Sequence, residues 1–170
     1  MAAGDQLAFE QLMQRHLDAL LAFTERLIGN RSDAEDICQE TFARAWRRAR
    51  EWKPGRAQYR TWLFQVAHNQ VRDRWRRQRP TEEISEALVS AELMPDQAAD
   101  AEAQSHRVRA ALQSLPERQR ATIILSHYHG HTNIETAELL KVSVEAVESL
   151  LGRARRRLRE LLATELEELA

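Results

Sequence analysis

The sequence predicts an all-α protein with two small helical domains joined by an acidic linker. Only 5 Gly and 4 Pro occur among 170 residues, which leaves few of the turn residues that an all-β chain needs. Apolar residues recur three and four positions apart through long segments, which is the period of an amphipathic helix. Residues 81–105 carry seven carboxylates and no Lys or Arg, a composition typical of a connector. We therefore expect domains at 1–80 and 106–170.

The sequence of the first domain predicts three helical segments. In the first, about residues 5–29, apolar residues keep helical spacing until Gly29-Asn30 supplies a stop, so we expect one or two helices. The third begins after the Pro54-Gly55 turn and ends at Pro80. An apolar stripe repeats every fourth residue along this third helix. Its members are Leu63, Ala67, Val71 and Trp75, with Val66 beside them.

The second segment, DAEDICQETFARAW at residues 33–46, predicts a helix with one acidic face. Ser32 or Asp33 is placed to cap it, and Ser32 and Glu35 are spaced as a capping box. The single cysteine of the chain, Cys38, has apolar neighbours here, so we expect a packed core thiol and no internal disulfide. The side chains expected to stay outside are Asp33, Asp36, Gln39 and Glu40.

The sequence of the second domain predicts a helix-turn-helix. Thr132 or Asn133 is placed to cap a short helix through Leu140, residues 141–143 fit a tight turn, and Ser143 is placed to cap a second helix. The two helices should enclose an apolar interior. We expect it to contain Ile134, Ala137, Leu140, Val142, Val147 and Leu151.

Charge is strongly segregated along the chain, although the formal net charge is only -1. Residues 44–79 hold twelve Lys or Arg residues, opposed only by Glu51 and Asp73. The acidic segment 81–105 follows directly. A basic block with interleaved aromatic residues beside an acidic connector is typical of a surface that binds a polyanion such as nucleic acid.

Four motifs, in order, resemble the bacterial extracytoplasmic-function (ECF) sigma factors, the group 4 members of the sigma-70 class. They are DAEDICQETFARAW, YRTWLFQVAHNQVRDRWRR, LPERQRATIIL and AELLKVSVEAVESLLGRARRRLREL, and the resemblance runs from about Phe9 to Leu162. It implies a sigma-2 domain that binds core RNA polymerase and reads and melts the minus-ten element of promoter DNA. It also implies a sigma-4 domain that reads the minus-thirty-five element, so that the chain directs promoter-specific transcription initiation.

The resemblance assigns three sets of contact residues. An acidic helix face suits the clamp coiled coil of the polymerase, and arginines with aromatic residues suit a single strand held open. The polymerase-binding set is Asp33, Glu35, Asp36, Gln39 and Glu40. The minus-ten set is Arg56, Gln58, Tyr59, Arg60, Trp62, Asn69, Arg72, Arg76 and Arg79. The minus-thirty-five set is Glu145, Glu148, Ser149, Arg153, Arg155, Arg156 and Arg157.

Several of these residues also fit a structural interpretation. The acidic face alone is compatible with a solvated helix, Trp62 fits base contact or core packing, and Trp75 fits core packing better. Many family members carry basic residues where this chain has Glu148 and Leu150. Glu148 keeps direct readout possible because a carboxylate accepts from cytosine N4. Leu150 and Leu151 are alternatively compatible with a partner-binding surface.

The segment SHYHGH places His127, His129 and His131 at alternate positions. In a helix followed by a glycine turn these side chains do not converge on one ion, and no Cys or carboxylate cluster completes a site. We expect no metal and no cofactor, with metal sensing as the minor alternative. His68 is expected to pack or to hydrogen-bond rather than to bind a ligand.

A stand-alone helix-turn-helix transcription regulator is the alternative function. It explains residues 106–170 equally well but leaves the aromatic and arginine residues of 59–79 unexplained. An enzyme is disfavoured, because the sequence has no Gly-rich phosphate loop, nucleophile elbow or paired metal-ligand motif. We expect no small-molecule substrate.

The amino-terminal sequence lacks a signal-peptide pattern, and no apolar run approaches the ~20 residues of a membrane span, so we expect a cytoplasmic protein. By resemblance we also expect control by an anti-sigma factor, often membrane-anchored. Such a partner would clamp between the two domains, which the acidic linker would allow to close around it.

Overall fold

The computed structural model describes residues 6–49, 59–78 and 97–168. The helices are α1 (Gln6–Ile28), α2 (Arg31–Arg48), α3 (Tyr59–Gln78), α4 (Gln97–Gln113), α5 (Glu117–Ile123), α6 (Asn133–Leu140) and α7 (Val144–Glu168). A π-helical segment, Ile124–Tyr128, continues directly from α5. The described ranges contain no β-strand, which confirms the all-α prediction.

Helices α1, α2 and α3 pack against one another and form what we call the amino-terminal bundle. The predicted stripe of α3 lies inside it: Leu63, Ala67 and Val71 are fully buried, whereas Trp75 and Val66 are half-buried. Facing this stripe are the buried apolar residues of the other two helices. They are Leu20, Phe23 and Leu27 of α1, and Ile37, Cys38, Phe42 and Ala45 of α2.

The buried thiol of Cys38 confirms the predicted packed cysteine. Its Sγ atom lies 3.4 Å from the Thr24 hydroxyl, which also donates to the Leu20 carbonyl at 3.0 Å. Burial is the main cause that raises the pKa of the Cys38 thiol, although the Thr24 hydrogen bond opposes it. The thiol therefore behaves as a small core side chain rather than as a nucleophile.

The cap predicted for α2 was wrong. Helix α2 begins at Arg31, and the Asn30 side chain accepts a hydrogen bond from the Asp33 amide at 3.0 Å. Glu35 instead pairs with Arg31 at 2.7 Å, so no capping box with Ser32 forms. The reason is a short connection: Gly29, with φ of +80°, ends α1, and the next residue already caps α2.

The remaining helices form the carboxy-terminal bundle, α4 to α7, which contains the predicted helix-turn-helix. Thr132 caps α6 and forms a capping box with Glu135. Lys141 turns the chain at φ of 55°, and the Ser143 hydroxyl accepts from the Ala146 amide at 3.2 Å to start α7. The sequence predicted a cap at Thr132 or Asn133, a tight turn at residues 141–143 and the Ser143 cap, but not the capping box with Glu135.

One prediction about the helix-turn-helix interior was wrong, and so was the alternative that Leu150 and Leu151 form a partner-binding surface. Ile134 is 64% exposed, because the inward positions of α6 are taken by Thr136, Ala137 and Leu139. Leu150 and Leu151 are buried against the bundle, so they do not supply a partner-binding surface. The other predicted interior residues fit the prediction: Ala137, Val147 and Leu151 are buried, and Leu140 and Val142 are half-buried.

The two bundles pack directly against each other and share one apolar core. Helix α4 begins at Gln97, inside the segment predicted as linker, so residues 97–105 are helical. Side chains of the carboxy-terminal bundle cover the last turn of α1: Gln113 donates to the Arg26 carbonyl at 2.7 Å, and Arg120 donates to the Leu27 carbonyl at 2.9 Å. These carbonyls have no partner within their own helix, so the junction satisfies them.

Replacing Gly29 with alanine is expected to lower the free energy of unfolding by about 1–2 kcal/mol, because an L side chain is strained at positive φ. The added Cβ would also meet Gln113 Cδ at 2.9 Å. Gly152→Ala is the matched control: in mid-α7 the new methyl meets no atom within 4 Å, and we expect a gain of about 0.5–1 kcal/mol. Urea denaturation measures both. Equal effects of the two changes would contradict the role of Gly29.

Candidate polymerase and nucleic-acid interfaces

The acidic face predicted on α2 divides into free and paired residues. Asp36 and Gln39 are exposed and make no ion pair or side-chain hydrogen bond within the described part of the chain. Glu40 pairs with Arg44 at 2.8 Å and with Arg47 at 3.0 Å, and the Arg44 hydrogen bond is the main cause that lowers the pKa of Glu40.

The other two members of this set are also paired. Glu35 is held by Arg31, and Asp33 is half-buried in an ion pair with Arg74 of α3. That pair joins α2 to α3 within the amino-terminal bundle. Asp36 and Gln39 are therefore the members of the predicted polymerase-binding set that are ready for an external partner.

An apolar groove lies between α1 and α2, next to this face. It encloses about 620 Å3, and its rim includes Glu35 and Gln39. Phe9 packs edge-on against Trp46 at a centroid distance of 4.9 Å, and Trp46 is 40% exposed. The apolar lining is Phe9, Met13, Leu17, Leu21, Phe42 and Trp46. Phe42 also belongs to the buried core, whereas Trp46 is partly exposed in the groove wall. Helical spacing alone cannot tell a groove wall from a core stripe.

A basic cleft lies on the other side of α2, between α2 and α3. It encloses about 500 Å3 and brings together two predicted minus-ten residues, Trp62 and Asn69. Its wall also contains three arginines that the sequence analysis did not place in the site: Arg44, Arg47 and Arg48. Their position within the basic block was the available signal. The guanidinium groups are suited to binding phosphates, and the indole ring between them is suited to stacking on a base.

The other predicted minus-ten residues occupy varied environments. Tyr59 is half-buried between His16, at a ring distance of 5.9 Å, and Trp62, at 5.6 Å, and burial raises the pKa of Tyr59 to about 12. Arg72 and Arg76 are exposed along α3. Arg56, Gln58 and Arg79 lie outside the described residues.

Arg60 differs from the prediction, because it faces the carboxy-terminal bundle. Its Nη2 donates to the His129 carbonyl at 2.7 Å, and its guanidinium lies 5.5 Å from the centre of the Phe64 ring. Trp75 likewise faces the guanidinium of Arg120 at 5.2 Å, which agrees with the packing interpretation of that tryptophan. In this arrangement Arg60 holds a protein carbonyl rather than a phosphate.

The predicted minus-thirty-five residues share the exposed face of α7. The exposed members are Glu145, Glu148, Ser149, Arg153, Arg155, Arg156 and Arg157. Hydrogen bonds at the start of the helix, to the backbone amide and to Ser143, lower the pKa of Glu145. Arg153 donates to the Ser149 hydroxyl at 3.2 Å. The face therefore presents carboxylates at its amino-terminal end and arginines further along.

The three histidines of SHYHGH separate in the structure. His127 is exposed, whereas His129 and His131 are buried at the junction of the two bundles. Across residues 6–49, 59–78 and 97–168, no group of three or more His, Cys, Asp or Glu side chains is placed to hold a metal ion. His68 is buried as predicted, and burial followed by the charge of Arg72 lowers its pKa to about 4.

None of the described helices combines the length and the apolar character that crossing a membrane requires.

Comparisons with known proteins agree with this architecture. Residues 12–81 match the family model Sigma-70 region 2, and residues 105–158 match the model Sigma-70, region 4. The RNA polymerase sigma factor CnrH of Cupriavidus metallidurans is 33% identical over 98% of this chain and 92% of its own length. The ECF RNA polymerase sigma factor SigE of Mycolicibacterium smegmatis is 33% identical over 99% of this chain and 68% of its own length.

Two solved structures share the fold. CnrH in complex with the cytosolic domain of CnrY superposes with a TM-score of 0.73 at 32% identity, covering 95% of this chain and 91% of that one. The sigma factor RpoE of Bartonella quintana, in complex with the anti-sigma factor NepR, gives 0.71 at 27% identity, covering 92% and 97%. With both sigma-70 regions matched in order and one-third identity over nearly its whole length, this chain belongs to the ECF RNA polymerase sigma factors, which direct promoter-specific transcription initiation.

Proposed function

We propose that the two sides of α2 serve the two partners of a sigma factor. The acidic side docks on core RNA polymerase, and the basic cleft behind it holds the opened minus-ten strand, while α7 reads the minus-thirty-five element. The observation that carries this proposal is the basic cleft. It brings the predicted residues Trp62 and Asn69 together with Arg44, Arg47 and Arg48, which were not in the predicted set. We retain the domain limits 1–80 and 106–170, with residues 81–105 connecting them.

Asp36 and Gln39 are the proposed centre of the polymerase contact. Both are exposed on a rigid helix and have no partner in the described residues, so binding does not first require an internal ion pair to break. Glu35 and Glu40 surround them with further negative charge, partly neutralised by Arg31, Arg44 and Arg47. An acidic patch of this kind favours a basic partner helix and sets its orientation and association rate.

The basic cleft is proposed to hold a base against Trp62 with phosphates on the surrounding arginines. Stacking of one base on an aromatic ring contributes about 1–3 kcal/mol, and every base offers a face for it. Asn69, on the same wall, supplies amide hydrogen-bond groups that can read a base edge. Arg72 and Arg76, exposed along α3, extend the phosphate contacts. The Tyr59 ring packs against the Trp62 ring at a centroid distance of 5.6 Å.

The exposed face of α7 is the proposed reader of the duplex. Its amino-terminal residues, Glu145, Glu148 and Ser149, enter the major groove, where a carboxylate can accept from cytosine N4. Arg153 orients Ser149 and can reach a base. Arg155, Arg156 and Arg157 hold phosphates and carry no sequence information by themselves.

An anti-sigma factor is the proposed regulatory partner. CnrH and RpoE were each solved with a second protein, and NepR is named an anti-sigma factor. In this chain the bundles pack directly together, so we place the partner in the α1/α2 groove rather than between them. An amphipathic helix lying there would cover Glu35 and Gln39 on the rim and so exclude polymerase.

We further propose that the chain has no catalytic activity of its own and that it acts in the cytoplasm, where polymerase and DNA are found. A stand-alone regulator would bind duplex promoter unaided, whereas the proposed minus-ten cleft needs a strand that polymerase has helped to open. Affinity for the duplex with and without core polymerase separates these two functions.

The double variant Asp36→Arg/Gln39→Ala is expected to bind core polymerase at least about tenfold more weakly, which is about 1.4 kcal/mol of binding free energy. Fluorescence anisotropy with purified core enzyme measures the dissociation constant. Asp18→Arg, the same charge reversal on an exposed site of α1, is the control and should bind normally. If both variants lost affinity equally, general charge rather than the α2 face would be responsible.

Trp62→Ala is expected to reduce promoter opening by the holoenzyme by about 1–3 kcal/mol of open-complex stability, because one base loses its stacking partner. Permanganate reactivity of minus-ten thymines reports the opening. Trp46→Ala, on the groove side of α2, is the aromatic control and should leave opening intact. Thermal unfolding of both variants checks the fold. Normal opening with Trp62→Ala would remove the cleft from the proposed site.

A further inference from the structure

The junction between the two bundles contains two buried histidines that the proposed promoter contacts do not use. His129 is 9% exposed and His131 is 5% exposed. Their rings lie edge-on to the ring of Phe64, at 5.1 Å and 5.2 Å, and His129 also meets Phe23 at 5.6 Å. Both histidines therefore sit where the carboxy-terminal bundle closes on α1 and α3.

The charged groups around these rings are mostly basic. Arg26 of α1 and Arg60 of α3 approach His129 from the amino-terminal bundle, and Arg60 also lies near His131. Among the described residues, Glu135 of α6 is the one carboxylate that acts on His131, with 4.0 Å between Nδ1 and Oε2. Within the described residues, Nε2 of His129 and both ring nitrogens of His131 have no hydrogen-bond partner.

This environment favours neutral imidazoles. Burial, followed by the charges of Arg26 and Arg60, lowers the pKa of His129 to about 4. Burial and Arg60 also lower the pKa of His131, and Glu135 opposes that shift only in part. A proton on His129 would place a second cation beside Arg60, between the rings of Phe23 and Phe64 and without a partner for the new N–H group. A proton on His131 would also place a cation beside Arg60, with Glu135 at 4.0 Å as a partial compensation.

We propose that His129 and His131 form a proton-sensitive latch, which holds the two bundles together when both imidazoles are neutral and releases them when a proton binds. In the open form the rings reach water and regain the ordinary pKa of about 6.5. The open form therefore binds more protons below that value. The stability of the closed form is fully present above pH 6.5 and falls as the pH drops towards 4.

The size of the effect follows from the same linkage. For His129 alone, lowering the pH from 7.5 to 5.5 is expected to shift the closed-to-open ratio about tenfold towards the open form. His131 adds to this shift in the same direction. The geometric consequence is local: release frees the guanidinium of Arg60 from the His129 carbonyl.

Opening matters because the closed form is too short to read a whole promoter. The minus-ten and minus-thirty-five elements are about 25 base pairs apart, which is about 85 Å of duplex at 3.4 Å per step. A compact chain of 170 residues has a radius of gyration of about 16 Å and a diameter of about 40 Å. The two bundles must therefore separate before both elements are bound.

Small-angle X-ray scattering of the full chain at pH 7.5 and pH 5.5 tests the latch. We expect the radius of gyration to rise at pH 5.5 while far-UV circular dichroism shows unchanged helix content. The variants H129Q and H131Q carry a neutral amide at both pH values, so each should lose part of the rise and the double variant should lose it all. H127Q, in the same segment but exposed, is the matched control and should respond like the wild type.

His68 supplies a second control, because it is the other buried histidine of the described residues and its pKa is also lowered to about 4. H68Q should keep the full pH response if the response arises at the junction. An unchanged radius of gyration for the wild type, or a full response in the H129Q/H131Q double variant, would overturn the latch. Loss of helix content over the same pH range, or a double variant that is open at both pH values, would also overturn it. The measurement involves neither DNA nor polymerase, so it is independent of the promoter contacts proposed above.

Discussion

The burial of Phe64 between the two bundles is the contact on which the whole arrangement depends. Its ring is fully buried, 4.9 Å from Phe23 of its own bundle and about 5 Å from the imidazoles of the other. Truncating a buried phenylalanine typically costs about 3–5 kcal/mol, which exceeds the net value of any single hydrogen bond nearby. Because this apolar contact excludes water, the backbone carbonyls around it need protein donors. Arg60 and Arg120 supply them, so the polar contacts of the junction follow from the aromatic one.

In the proposed function, helix α2 lets a chain with a net charge of only -1 face both a protein and a polyanion. Asp36 and Gln39 lie on one side, and three arginines lie in the cleft on the other. Glu40 is between them and binds Arg44 and Arg47 in the free protein. These pairs are exposed and therefore weak, so a phosphate can replace Glu40 on either arginine at little cost. The ion pairs therefore position the arginines and leave them able to bind a phosphate instead.

Local signals made much of this structure predictable. The cap at Thr132 or Asn133, the tight turn at residues 141–143 and the Ser143 cap each depend on residues within three or four positions, and all three were predicted. The failures have two causes. Asn30 replaced Ser32 as a cap because a connection can be shorter than composition suggests. The other cause is distance: Arg60 donates to the His129 carbonyl, 69 residues away, and no local signature in the sequence indicates this contact. The periodicity of apolar residues does not indicate which side chains make contact between the two bundles.

The junction contains buried polar side chains, although a purely apolar surface would hold the two bundles together more firmly. Buried polar atoms without a partner destabilise by about 1–3 kcal/mol each, and His129 and His131 contribute three such nitrogens. An aliphatic side chain at either position would fill similar space without that cost. A sigma factor must nevertheless separate its two reading domains to span a promoter. A junction closed by aromatic packing and weakened by unpartnered imidazoles satisfies both needs: it is stable enough to form one core and poor enough in polar complementarity to open.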